Sequence, residues 1–179
     1  PVASAAPGDT DHAKARGAKI YCEVIGYGSS NDAYDMIALH ETGRGLKRAV
    51  NTAIRKAGIA PSEINYINPH GSGTPLNDRV ETLVFKEIMG KAAYDAAISS
   101  VKPITGHCMG ASGSVEALAC VMAIRDQRVA PTINYTTPDP ECDLDYVPNV
   151  ARSMAVNIAM TTSVGLGGHN PAVIFKKVQ

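Results

Sequence analysis

His70 and His107 are the two residues of this chain whose surroundings best suit shared chemistry. Each follows a short apolar run and sits among glycines, in Pro69-His70-Gly71-Ser72-Gly73 and Thr105-Gly106-His107. If those runs are neighbouring parallel strands, their C-terminal loops meet and both imidazoles face one pocket. A neutral imidazole donates a hydrogen bond from Nε2, and two such donors stabilise a carbonyl oxygen that is gaining negative charge. Spacing alone leaves a plainer alternative open, in which both are loop histidines bonded to backbone. Lys102 lies just before His107, and Glu116 follows on the next helix. An ion pair between them would hold Lys102 charged and oppose protonation of His107. The alternatives are a surface or phosphate-binding lysine and an exposed helix carboxylate. The turn Val164-Gly165-Leu166-Gly167-Gly168 could offer backbone N–H groups to a reacting carbonyl, or be a plain hairpin turn.

Other patterns carry less. Gly106, Gly110 and Gly113 fit neither a phosphate-binding loop ending in GKS or GKT nor a dinucleotide GxGxxG. They read as glycines that let a helix start close against another backbone. Cys108, beside His107, reads as a small core residue at a helix start rather than a nucleophile. No Gly-x-Ser-x-Gly elbow or zinc signature is present, and no metal is expected.

The elements that must position these residues follow from periodicity and breakers. Alternation of Ile20, Cys22 and Val24 predicts a strand over Ala18 to Tyr27, followed by loop through Gly43. Leu46, Ala49, Val50, Ala53, Ile54 and Ala57 recur at helical spacing, with Gly58 placed to end the helix. Ile64 to Asn68 and Ala97 to Ser100 are short strands. The first leads to a helix capped by Asn77 or Asp78 and reaching Met89. The second leads to a helix over Ser112 to Asp126, with Val115, Leu118, Ala119 and Met122 on one face. Further strands are predicted near Arg128 to Ile133, Leu144 to Val147, Asn157 to Ser163 and Pro171 to Lys177. This order argues for an α/β sheet with helices against its faces. Pro1 to Gly17 reads as a leader or poorly ordered remnant before a domain over residues 18–179.

With 17 basic and 17 acidic residues the formal charge is zero, which argues against nucleic-acid or membrane-surface binding. The four cysteines lack metal-ligand spacing and read as reduced thiols. No run approaches a membrane span of roughly 18 residues and no signal pattern opens the chain, so a cytoplasmic location is expected, with plastid or mitochondrion as alternatives.

Taken together, these blocks resemble the β-ketoacyl-acyl-carrier-protein synthases of the elongation type. The stretch from Asn68-Pro69-His70-Gly71-Ser72-Gly73-Thr74 to Asp78 is similar to their Asn-Ala-His-Gly-Thr-Ser-Thr block. Lys102 to Gly106-His107 is similar to their Lys-Ser-x-x-Gly-His block, and Gly165-Leu166-Gly167-Gly168-His169-Asn170 to their Gly-Phe-Gly-Gly-Thr-Asn turn. Pro131-Thr132-Ile133-Asn134 and Cys142-Asp143-Leu144-Asp145-Tyr146-Val147-Pro148 match as well, so the resemblance runs from His12 to Val178.

The resemblance implies a thiolase-like fold, of which this chain is the C-terminal half of a duplicated layered α-β-α-β-α body, and a homodimer. It implies decarboxylative Claisen condensation of malonyl-carrier protein with an acyl thioester, in fatty acid biosynthesis. By match, His70 and His107 polarise the malonyl thioester carbonyl and stabilise the enolate, and Lys102 with Glu116 forms the supporting ion pair. Asp78 and Glu81 structure the site. Leu166 gives a backbone N–H to the acyl oxyanion and gates the acyl pocket. Ser72 and Thr74 bond the phosphopantetheine arm of the acyl carrier protein, and no permanently bound cofactor is expected.

Three departures matter: the family's nucleophilic cysteine has no counterpart here, Gly73 replaces a serine, and Leu166 and His169 replace phenylalanine and threonine. A missing N-terminal half or a partner chain must then supply the cysteine, and the chain alone is expected not to condense. A non-catalytic partner subunit or remnant ranks lower, because such partners commonly lose the histidines kept here. A free-standing malonyl decarboxylase would need a stable half-fold, and thiolases are set aside for want of their Cys-x-Gly motif.

Overall fold

A computed structural model describes residues 9–178. In chain order the elements are α1 (Asp9–Ala15), β1 (Glu23–Asn31), α2 (Arg44–Ala57), β2 (Tyr66–Asn68), α3 (Pro75–Met89) and β3 (Ala97–Ile98). There follow α4 (Lys102–Thr105), α5 (Ser112–Asp126), β4 (Arg128–Val129), β5 (Arg152–Ser153), β6 (Ile158–Thr162) and β7 (His169–Lys176). Short 3-10 turns link several of them.

One mixed sheet runs in the order β1-β7-β6-β2-β3, and β4 pairs with β5 beside it. β1, β7 and β6 are antiparallel neighbours, whereas β6, β2 and β3 run parallel. Strand alternation then assigns each residue a side. Ile67, Ile98, Ile158, Met160, Ala172 and Ile174 face α2 and α3 in one core. Tyr66, Ala97, Ala159 and Phe175 face α5 in another, so the chain forms three layers.

The ends of α2 follow local rules. Gly43 and Gly58 both adopt left-handed backbone, and the Gly58 N–H closes on the carbonyls of Ile54 and Arg55. α2 lies so close to β1 that a Cβ on Gly26 or Gly28 would meet the carbonyl oxygens of Ala53 and Ala49. That approach buries Leu46, Ala49, Val50, Ala53 and Ile54 completely or nearly so.

Several expectations change. β1 starts at Glu23 and runs on to Asn31, into the start of the stretch read as loop, because Gly28, Ser30 and Asn31 are paired with Ala172, Asn170 and His169 across the sheet. α3 starts at Pro75 after Thr74, not at a cap by Asn77 or Asp78; proline suits the first helical position, where no N–H is needed. Leu144 to Val147 joins no strand. Its carbonyls accept single bonds instead, Asp145 from the Ile98 N–H and Val147 from the Thr132 N–H. Within the segment read as a leader, Asp9–Ala15 is helical, and residues 1–8 lie outside the described residues.

α5 corrects the largest error of facing. Ser112, Glu116, Cys120, Ala123 and Ile124 are buried, while Leu118 is 51% exposed and Met122 37%. The helix is apolar on both sides, and periodicity picked the outer one. Gly106, Gly110 and Gly113 face open space rather than a close backbone. No helix among the described residues is long and apolar enough to cross a membrane.

Candidate active site

β2 and β3 lie side by side in register, Ile67 opposite Ile98, so the loops that follow them emerge together. The expected meeting of the two histidines results. Their ring centroids are 5.4 Å apart with planes at 76°. His70 is 8% exposed, whereas His107 stands in an exposed loop.

Glu81 fixes the backbone around His70. Its Oε1 accepts the His70 N–H at 2.8 Å and the Thr162 hydroxyl at 3.0 Å. Its Oε2 accepts the Gly71 N–H and the Asn77 side-chain amide, both at 2.8 Å. Asn77 and Glu81 share one face of α3 because they are four residues apart. Burial pushes the Glu81 carboxyl up to about 7, against the pull of those four donors. One turn nearer the helix start, Asp78 Oδ1 accepts the Gly73 N–H at 3.3 Å and the Asn77 amide at 3.0 Å. Both acidic positions therefore hold the 70–74 loop.

Lys102 opens α4, a helical turn where the sequence suggested only loop. Its buried ammonium donates to the His70 carbonyl oxygen and to Glu116 Oε1, and lies 3.5 Å from His70 Nδ1. An ammonium has donors and no acceptor, so Nδ1 faces it with a lone pair and the ring proton sits on Nε2. Burial, then the Lys102 charge, then His107, pull His70 down to about 3, which leaves it neutral near pH 7. The second Glu116 oxygen accepts the Ser163 hydroxyl at 2.8 Å. Burial pushes this carboxyl up, and Lys102 opposes the shift.

His107 is set from one side. Its Nδ1 accepts the Met109 N–H at 3.2 Å and lies 2.9 Å from Ser112 Oγ. Half-buried Ser72 and exposed Thr74 lie on the loop after His70, with hydroxyls 3.0 Å apart. They line a cleft of about 600 Å³ that also reaches Asp78, Lys102, His107 and Tyr146.

Leu166 lies 63% exposed on the turn between β6 and β7. That turn is tied to the loop after β1: Gly167 N–H to Met36 O at 2.8 Å, Asn31 Nδ2 to Gly167 O at 2.7 Å, and Asp32 N–H to Gly168 O at 2.9 Å. Among the described residues the Leu166 N–H finds no acceptor. Sequence reasoning missed Asn31, Asp32 and Met36, because a pairing across 136 positions leaves no local period. It missed Ser163 and Ser112 too, as single hydroxyls carry no spacing signal. Cys108 is exposed, not a core residue, with Sγ 3.8 Å from the carbonyls of Thr105 and Gly106. Among the described residues no three His, Cys, Asp or Glu side chains gather as a metal site.

Residues 21–136 match the family described as beta-ketoacyl synthase, C-terminal domain. The chain belongs to that family. This ketosynthase domain is 49% identical over 171 residues to 3-oxoacyl-[acyl-carrier-protein] synthase 2 of Synechocystis, a match covering 96% of this chain and 41% of that protein. The synthase 2 of Staphylococcus aureus is 46% identical over 169 residues, covering 94% and 41%. The domain thus spans about two fifths of the length of the curated relatives it matches.

Among solved structures, a type II polyketide ketosynthase in complex with its acyl-carrier protein superposes with a TM-score of 0.91 at 42% identity, covering 94% of this chain and 41% of that one. A beta-ketoacyl synthase from Burkholderia phymatum gives 0.87 at 34%, covering 94% and 40%. The mixed sheet is that of the thiolase-like ketosynthases, as the motifs implied.

Proposed function

We propose that this ketosynthase domain supplies the malonyl-activating half of a site for decarboxylative Claisen condensation in fatty acid biosynthesis. The observation that carries the reading is the pair of adjacent imidazoles, each with Nδ1 engaged and Nε2 free to donate. As malonyl thioester loses carbon dioxide, the electrons of the breaking C–C bond pass into an enolate. His70 and His107 would share its oxygen through two N–H donors. The enolate carbon then attacks the acyl thioester on a cysteine, whose thiolate leaves.

That cysteine comes from an N-terminal half or a partner chain, so the domain alone does not condense. Leu166 offers its unpaired N–H to the acyl oxyanion, and its side chain gates the acyl pocket. Lys102 and Glu116 keep the histidine pair in place; Glu81 and Asp78 set the loop that carries His70. Ser72 and Thr74 present hydroxyls to the phosphopantetheine arm of an acyl carrier protein, the only cofactor-like group the reading needs. A homodimer in the cytoplasm, or its equivalent in an organelle, is the expected setting.

The test is made in the enzyme assembled with its cysteine. His70→Ala or His107→Ala is expected to lower malonyl decarboxylation by about 100-fold or more and to leave acyl loading intact. Equal loss of both half-reactions would overturn these roles.

A further inference from the structure

His107 stands in an exposed loop, so packing does not fix its ring. Two contacts to Nδ1 do. The Met109 N–H can only donate, and it reaches Nδ1 at 3.2 Å because Met109 takes a left-handed backbone with φ 51. Such a conformation costs a residue other than glycine of order 1 kcal/mol and persists where its surroundings demand it. With Nδ1 thereby an acceptor, the 2.9 Å contact to Ser112 Oγ runs in one direction, from hydroxyl to ring. Ser112 is 7% exposed and begins α5 without capping it. Among the described residues its hydroxyl has no other partner.

Glu116 lies four residues further along α5, on the same face. It holds Lys102, which holds His70 through the backbone carbonyl. One turn of one helix therefore reaches both imidazoles, His107 directly and His70 through a lysine. α5 is anchored behind them by the buried Cys120, Ala123 and Ile124.

We infer that Ser112 is a positioning residue that holds the His107 ring, beside the Met109 N–H, as the Nε2–H tautomer, and that α5 sets both histidines through the Ser112/Glu116 turn. The consequence for catalysis rests on the proposed function, but the ring state can be read without it. Selective [15N]histidine labelling of the protein limits the spectrum to five rings, with His107→Ala giving the assignment. The wild type should show His107 Nδ1 as a proton acceptor and Nε2 as N–H. Ser112→Ala, which leaves the Met109 N–H as the one donor to Nδ1, should move the Nδ1 signal to that of a more weakly bonded acceptor and lower malonyl decarboxylation by the enzyme assembled with its cysteine about fivefold in kcat, the worth of one hydrogen bond of about 1 kcal/mol, with KM little changed. Ser112→Thr, which keeps the hydroxyl, should restore both. An Nδ1–H tautomer in the wild type, or ring signals unmoved by Ser112→Ala, would overturn the inference. Absence of decarboxylation in the assembled wild-type enzyme with the expected ring signals would instead count against the proposed function and leave the tautomer assignment standing.

Discussion

Glu81 and His70 are buried neighbours whose protonation pulls stability in opposite directions. His70 titrates near 3 in the fold against an ordinary 6.5, so its contribution is full above about 6.5 and is lost as pH falls through 3. Glu81 titrates near 7 against an ordinary 4.5, so its contribution is full below about 4.5 and is lost as pH rises through 7. Between 4.5 and 6.5 the two slopes offset each other. Melting temperature followed against pH should therefore gain a rising component in Glu81→Gln and a falling one in His70→Gln, each relative to the wild type. A parallel displacement of the whole curve in either variant would show that the named group does not titrate there. The histidines, Lys102 and Glu116 stood out as candidates by their places in two strand-loop-helix units, and the resemblance of the blocks around them, not their spacing, chose between the open alternatives. Ser112 and Ser163 did not stand out, since a hydroxyl shows its use only when the fold brings an acceptor within 3 Å.

At the scale of elements, the approach of α2 to β1 is set by backbone against backbone. A methyl at Gly28 would strike the Ala49 carbonyl and force the helix away from the sheet. Gly28→Ala should cost about 1–3 kcal/mol, as overpacking does, seen as a lower urea midpoint. Gly113→Ala, whose methyl points to open space, should leave the midpoint unchanged or raise it through better helix propensity. Equal midpoints for the two variants would refute the close contact. α2 was readable to within two residues because an amphipathic helix repeats its burial every turn. β1 was readable only as far as Tyr27: glycine and serine beyond it disfavour a strand locally, and pairing with β7 carries the strand on to Asn31. Leu144 to Val147 failed the other way, its apolar residues buried without a ladder partner.

For the molecule as a whole, the outer side of α5 is the feature with the widest reach. Leu118 and Met122 are exposed beside Val115, as are Ile104 on α4 and Met109 in the turn before α5. In the proposed enzyme the cysteine-bearing half would cover this side. Without it, the chain should self-associate as concentration rises, and Leu118→Lys with Met122→Lys should yield a monomer whose melting temperature is unchanged. Sedimentation of both proteins decides it, and a monomeric wild type would argue that the strip needs no cover. The parallel pairing of β2 with β3 has a different consequence. Because hydrogen bonds between adjacent strands carry the two histidine loops, the distance between the rings does not depend on how long the chain between them is. Residues added at the far end of α3, around Gly90–Tyr94, would lengthen the path from His70 to His107 without parting them. Lineages are therefore free to elaborate that end of the domain while the reaction centre stays in place.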